Sequence, residues 1–393
     1  MKQNQLHKQV NEVLAGADLY HQWWTGPELD RTRVFAPASW GSKHNFNAES
    51  VILTASLARG TDTSTCSSPN DLRLFLGSAR RAGIGGDIVI AVEEGLSDEA
   101  KSILLEYDVV VYEVPAKICS HYVGGVVVKE GVDNFCGSEE EKVPASVFRY
   151  FFYEKWAAAY NETIPILMAD FKDVIFQSNP FIFHVKEWGD HQLVLYQEFH
   201  PNMVLQRSPQ HLVLFRECYG EEMLAVHGHK TVISSGTVMG IRNAVLLWAH
   251  AMTQQLTEAP GRVMEDRCTS SGIDTAFANY LGYTSKLRQA VRIKIYPQGE
   301  GPVNSLGGMR VPKKNKDKMG VFGPLKSFWR LLDEENWVLN WSRERSPVVH
   351  QINHFIDELR ELSARNRSIH DEKHMEVDSM WQALPATRCL WGC

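Results

Sequence analysis

The chain has 393 residues, 44% of which are hydrophobic, and a formal net charge of −6. This is enough for one large domain or two with a sizeable core, and the negative charge argues against non-specific binding to nucleic acid. No apolar run reaches the length of a membrane span, and the polar start, residues 1–5, is not typical of a signal peptide. We therefore expect neither a nucleic-acid partner nor a membrane span.

Seven cysteines are scattered along the chain, and no pair of them has the spacing of zinc ligands. Their number is odd, and we interpret them as reduced thiols. Reduced thiols favour a cytoplasmic location over a lumen.

Residues 1–50 form an N-terminal extension, with a short amphipathic helix predicted over residues 4–15. After it, strand and helix patterns alternate. Apolar runs predict strands at residues 51–55, 87–92 and 109–112. Apolar positions with helical spacing predict a helix from about residue 70 to residue 83, and Ser97 is placed to cap the next one. The alternation indicates an α/β fold with a Rossmann-type, mostly parallel central sheet flanked by helices.

Ligands of such a sheet bind beyond the carboxyl ends of its strands. In the first strand that end consists of Thr54, Ala55 and Ser56. We expect a nucleotide base and ribose to bind beside these residues, although many unrelated folds begin with the same pattern.

The stretch from residue 165 to residue 177 is the most informative part of the sequence. An apolar run leads into Asp170, and a second apolar run follows Asp173. This pattern predicts a buried strand that ends at a tip with two carboxylates. Burying two anions is costly, so the pair indicates either an ion pair with a local base or a divalent-metal site. In an extended segment Lys172 would share a face with Asp170 and point away from Asp173. It therefore cannot form a good ion pair with both acids.

A helix is predicted upstream, over residues 146–160, with Arg149 and Tyr153 on one face. Arg149 is therefore a second candidate base. It would either approach a ligand or form a structural ion pair with Asp170 or Asp173.

The sequence from Arg149 to Phe181 resembles the core of the GT-A nucleotide-sugar glycosyltransferases. It contains Arg-Tyr, a further Tyr, and then Ile-Leu-x-x-Asp-x-x-Asp-Val-x-Phe-Gln-x-x-Pro-Phe. The resemblance implies a GT-A-like domain over residues 51–356, with a nucleotide- and metal-binding half (51–181), an acceptor half (182–356) and a C-terminal helical tail (357–393).

In that family an acidic motif, usually Asp-x-Asp, holds a divalent cation on the donor diphosphate. The resemblance implies that Asp170 and Asp173 bind Mn²⁺ or Mg²⁺, although here the acids lie one residue further apart. It also implies that Arg149 and Tyr153 approach the donor.

Three later segments extend the resemblance. Residues 232–240 are predicted to form a strand, a small-residue turn and a second apolar run; Ser235 and Gly236 are similar to a segment that lies beside the donor sugar. Asp274 is similar to an acid that contacts a sugar or acts as general base, and it is also predicted to be a helix N-cap. His350, at the end of an apolar run, is similar to a late histidine that completes the metal's ligands. The alternative for His350 is a hydrogen-bonded core residue.

A basic run begins at Lys313, after glycines at 299, 301, 307 and 308. Such a loop could fold over a diphosphate and exclude water, and the alternative is a solvated loop.

We therefore expect a metal-dependent glycosyltransferase that moves a sugar from a nucleoside-diphosphate donor, preferably a UDP-sugar, to a hydroxyl of a glycan or glycoprotein. Arg149 and Asp274 are its candidate catalytic residues. Asp274 as base would mean inversion, and the late histidine favours retention slightly. One alternative is a non-catalytic nucleotide-sugar or carbohydrate-binding module. A hydrolase with Asp170 as nucleophile fits less well, because no small hydroxyl residue follows the acids. If the chain is part of a longer, anchored protein, the Golgi lumen replaces the cytoplasm as its location.

Overall fold

The computed structural model describes residues 8–12, 36–57, 68–114, 122–123, 126–127, 135–137, 142–183, 192–199, 203–261, 267–268, 272–307, 332–335 and 337–352. Lys313, the C-terminal tail and most of the N-terminal extension lie outside these residues. Within the extension, residues 8–12 are helical. None of the described helices is long and apolar enough to cross a membrane.

The described strands are β1 Val51–Ser56, β2 Asp87–Glu93, β3 Val109–Val114, β4 Tyr122–Val123, β5 Val126–Val127, β6 Phe135–Gly137, β7 Lys142–Pro144, β8 Pro165–Ala169, β9 Val174–Phe176, β10 Leu193–Gln197, β11 Ile233–Ile241, β12 Ile293–Tyr296, β13 Val303–Ser305 and β14 Val348–His350. The helices are α1 Pro69–Arg81, α2 Asp98–Glu106, α3 Ala145–Ala158, α4 Pro209–His227, α5 Arg242–Glu258, α6 Ile273–Tyr283 and α7 Ser285–Arg288, with a 3₁₀ turn at Pro180–Phe183.

Seven strands form the central sheet, in the order β12-β10-β11-β8-β1-β2-β3. Neighbouring strands are parallel except where β11 pairs antiparallel with β10 and β8. The prediction of an α/β fold with a mostly parallel, Rossmann-like central sheet flanked by helices is thereby confirmed. The GT-A family stays a prediction.

The position of strand β8 between two hydrophobic cores explains why its sequence is continuously apolar. Ile166 and Met168 pack on one face of the sheet, in a core that contains Trp156 of α3 and Trp248 of α5. Leu167 and Ala169 face the other core, which is shared with α1, α2 and a second sheet of order β13-β14-β9. Because both faces are covered, alternate residues are equally buried and no polar position is needed until the strand ends.

The N-terminal extension covers the edge of the sheet at β3. The Ala38 N–H donates to the Val111 carbonyl at 2.7 Å, and the Ser42 N–H donates to the Val109 carbonyl at 3.0 Å. An edge strand with free backbone groups is a template for pairing with other chains, so this cover protects β3.

Two local predictions were wrong. Ser234, Ser235 and Gly236 do not form a turn, because β11 runs without a break from Ile233 to Ile241. Asp274 is not the N-cap of α6: that position is Gly272, whose φ is +82°, and no side chain caps it. A left-handed backbone of this kind is easily adopted only by glycine.

The prediction that all cysteines are reduced thiols was also wrong. Cys218 and Cys268 form a disulfide with a Cα–Cα distance of 4.7 Å, and both residues are buried. The bond ties α4 to the segment that precedes α6. We predicted a cytoplasmic location because we interpreted the cysteines as reduced thiols. The disulfide removes that support.

Candidate metal centre

Asp170, Asp173 and His350 lie together at one edge of the central sheet. One ligand atom from each lies within 4.8 Å of the other two. His350 Nε2 is 3.6 Å from Asp170 Oδ2 and 3.8 Å from Asp173 Oδ1. The His350 side chain is 2% exposed, whereas those of Asp170 and Asp173 are 23% and 17% exposed. The cluster is therefore buried at its base and reachable from solvent through the acids.

The topology explains this convergence. Asp170 directly follows β8, at the carboxyl end where ligands of parallel sheets bind. The chain bends over residues 171–173 and re-enters the core as β9. Because β9 pairs antiparallel with β14, His350 lies opposite Val174, the neighbour of Asp173. The Ile352 N–H also donates to the Asp173 carbonyl at 3.2 Å.

The hydrogen bonds of His350 leave Nε2 turned toward the acids. Its Nδ1 is 3.1 Å from Ser305 Oγ and 3.4 Å from Ser234 Oγ. Neither His350 Nε2 nor Asp173 Oδ1 has a hydrogen-bond partner among the described residues, although both atoms are buried. A histidine that donates through Nδ1 presents the Nε2 lone pair, which is the arrangement of a metal-ligating imidazole. Two buried, unpartnered ligand atoms facing each other fit a cation between them.

The charges of the cluster are strongly coupled. Burial raises the pKa of Asp173 to about 6, partly opposed by His350. Burial acts to raise the pKa of Asp170 as well, but the Arg149 guanidinium outweighs it and holds that pKa well below its usual range. Burial lowers the pKa of His350, yet the carboxylates of Asp173 and Asp170 raise it overall. Without a metal the site thus favours keeping a proton, which a divalent cation would displace.

Arg149, on α3, joins the partly exposed Asp170 to the buried Asp274. Its Nη1 forms an ion pair with Asp170 Oδ1, and its Nη2 donates to Asp274 Oδ2 at 3.0 Å. Arg149 therefore forms a structural ion pair, which was the alternative to its approaching a ligand. Its partners are Asp170 and Asp274. It does not exclude a metal, because the other oxygen of Asp170 is the one that lies near His350.

Asp274 is a partner of Arg149 in this arrangement and is 3% exposed. Burial raises its pKa, and the positive charge of Arg149 opposes that rise. Ser235, on β11, lies close by: its Oγ is 3.1 Å from Thr275 Oγ1, and its carbonyl accepts a hydrogen bond from Tyr150 at 3.0 Å.

Gly236 fits beside Asp170 and His350 because it has no side chain. A Cβ at this position would lie 2.5 Å from Asp170 Oδ2 and 2.5 Å from His350 Nε2. The Gly236 carbonyl also accepts a hydrogen bond from the Asp170 N–H at 2.7 Å. The backbone of β11 therefore approaches the cluster too closely for any residue with a Cβ.

The remaining predicted site residues divide into three groups. Thr54, Ala55 and Ser56 lie at the carboxyl end of β1, which pairs in parallel with β8, so they share the edge with Asp170. Of these, Thr54 and Ser56 are fully buried and Ala55 is partly exposed. Tyr153 is buried beside Tyr150 and Trp156, in the core next to Arg149. Lys313 lies outside the described residues.

Sequence reasoning missed three residues around His350. Ser305 contacts its ring, Gln351 follows it in the chain, and Glu198 hydrogen-bonds to Gln351. The signal for Glu198 was its position: it directly follows β10 at the same edge as Asp170. No local pattern marks Ser305, because its role depends on the pairing of β13 with β14.

Comparison of the sequence with models of protein families found no match, and a search of curated proteins found none either. The resemblance to GT-A enzymes therefore rests on the motif residues alone.

Proposed function

We propose that this protein is a metal-dependent glycosyltransferase with a GT-A-like domain. The observation that carries the proposal is the convergence of Asp170, Asp173 and His350 at the carboxyl edge of a mostly parallel sheet. Two of their atoms, His350 Nε2 and Asp173 Oδ1, are buried and have no hydrogen-bond partner among the described residues. The donor would be a nucleoside-diphosphate sugar, preferably a UDP-sugar, and the acceptor a hydroxyl of a glycan or glycoprotein.

The ligand set suits a hard divalent ion. Two carboxylates fit Mn²⁺ or Mg²⁺, and the imidazole favours Mn²⁺ of the two. When bound, such an ion supplies Lewis-acid stabilisation of the departing diphosphate. In the transfer itself the bond from the anomeric carbon to the diphosphate oxygen would break, a bond from that carbon to the acceptor oxygen would form, and the hydroxyl proton would pass to an oxygen of the departing diphosphate.

The chain's own groups would orient this chemistry. Arg149 holds Asp170 through one oxygen, so that the other oxygen stays directed toward His350. Gly236 gives the ligands room. Since Asp274 is buried against Arg149, it is poorly placed to take the acceptor proton, which favours the retaining outcome over inversion.

The Cys218–Cys268 disulfide bears on where the protein works. Structural disulfides persist in oxidising compartments and are rare in the cytosol. We therefore favour a secretory lumen such as the Golgi over the cytoplasm.

A non-catalytic nucleotide-sugar or carbohydrate-binding module is the second candidate. The ion pair between Arg149 and Asp170 favours it, because an acid already neutralised by arginine binds a cation less tightly. Turnover separates the two functions.

The test is a calorimetric screen of UDP- and GDP-sugars with and without Mn²⁺, followed by an acceptor panel that monitors release of nucleoside diphosphate. We expect donor binding that requires Mn²⁺ and is lost in Asp173→Ala, and kept in the control Asp98→Ala, which changes an exposed acid of α2. Binding without release would favour the module. Donor binding that ignores both Mn²⁺ and Asp173 would contradict the proposal.

A further inference from the structure

Glu198 is a buried acid next to the candidate metal centre that the ligand set does not include. It directly follows β10 and is 4% exposed. Its N–H donates to the Val232 carbonyl at 2.8 Å, which holds it beside the start of β11. Its Oε1 accepts a hydrogen bond from Gln351 Nε2 at 2.9 Å. Burying a carboxylate costs free energy, so this placement needs a structural reason.

Gln351 supplies that reason, because its backbone is strained. Its φ is +60°, in the left-handed region that a residue with a side chain adopts only where its surroundings hold it. The side chain is fixed at both ends of its amide: Nε2 donates to Glu198, and Oε1 accepts from the Gly307 N–H at 2.9 Å. Glu198, Gln351 and Gly307 thus form a clamp on the backbone that follows β14.

The clamp acts on the residues that would hold the metal. Gln351 lies between His350 and Ile352, whose N–H donates to the Asp173 carbonyl. On the other side, the Leu306 N–H donates to the His350 carbonyl at 3.0 Å. Gln351 therefore lies between two anchored points, the His350 carbonyl and the Ile352 N–H that contacts the loop carrying Asp173.

We propose that Glu198 and Gln351 are positioning residues for the metal centre: they hold the chain after His350 so that its Nε2 faces Asp170 and Asp173. This inference rests on the metal site of the proposed function. Groups that orient a ligating histidine commonly change metal affinity about 10- to 100-fold when they are removed.

The experiment is a Mn²⁺ titration of the full chain by calorimetry. We expect Glu198→Ala to weaken Mn²⁺ binding about 10- to 100-fold. We expect Glu198→Gln to bind nearly as well as wild type, because its amide oxygen still accepts from Gln351. The matched control is Glu154→Ala, which removes another buried acid whose Oε1 is 3.1 Å from His250 Nδ1. Unchanged binding in Glu198→Ala would overturn the inference, and so would an equal loss in Glu198→Gln.

Should Glu198→Ala fail to fold, Gln351→Asn replaces it. Asparagine tolerates the left-handed backbone but is one methylene too short to bridge Glu198 and Gly307. The same weakening of Mn²⁺ binding is expected, and wild-type affinity would overturn the clamp.

Absence of Mn²⁺ binding by the wild-type protein would count against the proposed function, and a second measurement then tests the clamp. In metal-free protein, Glu198→Ala should speed hydrogen exchange at the Gly307 amide relative to wild type and to Glu154→Ala, because Gln351 is no longer held in place. Unchanged exchange would overturn the clamp.

Discussion

Gly236 lies where a side chain would fill the space between Asp170 and His350. We expect Gly236→Ala to weaken Mn²⁺ binding by about tenfold or more, because its Cβ would meet both ligand atoms at 2.5 Å and push them apart. Calorimetric titration with Mn²⁺ measures the effect.

The matched control is Gly85→Ala, since a Cβ at Gly85 meets no atom within 4 Å. Gly85→Ala should bind as wild type does. Equal affinity in Gly236→Ala and wild type would mean that the cation, if bound, does not lie between these ligands.

The sequence predicted Asp170 and Asp173 as candidate site residues for a physical reason, whereas the metal and His350 were predicted through the family resemblance. Asp170 and Asp173 interrupt an apolar run, and buried acids need a positive partner, so their position was informative without a structure. The partners of Arg149 were harder to choose, because the sequence left Asp170 and Asp173 equally available and did not suggest that Arg149 also reaches Asp274.

At the scale of elements, the side chain of Gln177 hydrogen-bonds to the backbone of the segment that leads to β14. Its Oε1 accepts from the Val338 N–H at 2.8 Å, and its Nε2 donates to the carbonyls of Val338 and Ser346 at 2.9 and 2.7 Å. We expect Gln177→Leu to lower the free energy of unfolding by about 2–4 kcal/mol, because it removes the partner of the Val338 N–H and of the Ser346 carbonyl. Urea denaturation measures the loss.

The exposed Gln289 provides the comparison for that experiment. Gln289→Leu should leave the free energy of unfolding nearly unchanged. If both variants unfold at the same urea concentration as wild type, the side chain of Gln177 does not hold the 338–346 segment.

The N-terminal extension contacts β3 and the segment after α3 through His44. His44 Nδ1 is 2.6 Å from the Tyr160 hydroxyl, and its Nε2 is 2.7 Å from the Tyr112 hydroxyl. Tyr160 in turn donates to Asp87 at 2.7 Å. Burial lowers the pKa of His44 below its ordinary 6.5, although Asp87 opposes the shift. The folded protein therefore favours the neutral ring.

The sign of the pH effect follows from that shift. Well above pH 6.5 the ring is neutral in both states and its contribution is complete. As the pH falls below this value, the unfolded chain takes up a proton more readily than the folded one, so the free energy of unfolding decreases.

We expect the stability advantage of wild type over His44→Gln to be larger at about pH 7.5 than at about pH 5.5. Urea denaturation at the two pH values measures it, with His229→Gln, an exposed histidine, as control. An advantage that stays constant, or grows on acidification, would contradict the assignment.

Elements with a clear apolar pattern were predicted well, and those decided by tertiary pairing were not. Strands β1, β2 and β3 and the Ser97 cap agree with their sequence patterns. In β11, Ser234, Ser235 and Gly236 locally favour a turn, but the strand pairs on either side of them: Ile233 pairs with β10, and residues 237–241 pair with β8. The local sequence shows the residues that favour a turn, but it does not show the neighbouring strands whose pairing keeps them extended.

The disulfide is a feature of the whole molecule that spacing alone does not reveal. Cys218 and Cys268 are 50 residues apart, and only the packing of α4 against the segment before α6 brings them together. A cross-link that closes a loop of this length restricts the unfolded chain.

We expect the double variant Cys218→Ala, Cys268→Ala to lose about 2–4 kcal/mol of unfolding free energy. Guanidinium denaturation with and without reductant measures the loss: reductant should destabilise wild type and leave the double variant unaffected. Mass spectrometry of the unreduced protein provides the check, and a peptide map in which Cys218 and Cys268 are both free thiols would contradict the bond.

The measurement that tests the central claim most directly is a titration of the metal-free protein with Mn²⁺, in which free Mn²⁺ is followed by electron paramagnetic resonance. A site built from Asp170, Asp173 and His350 predicts one tightly bound ion per chain in wild type. It also predicts affinities weakened by about tenfold or more in Asp173→Asn and in His350→Ala. A wild-type protein that leaves all Mn²⁺ free, or variants that bind it as tightly as wild type, would contradict the account.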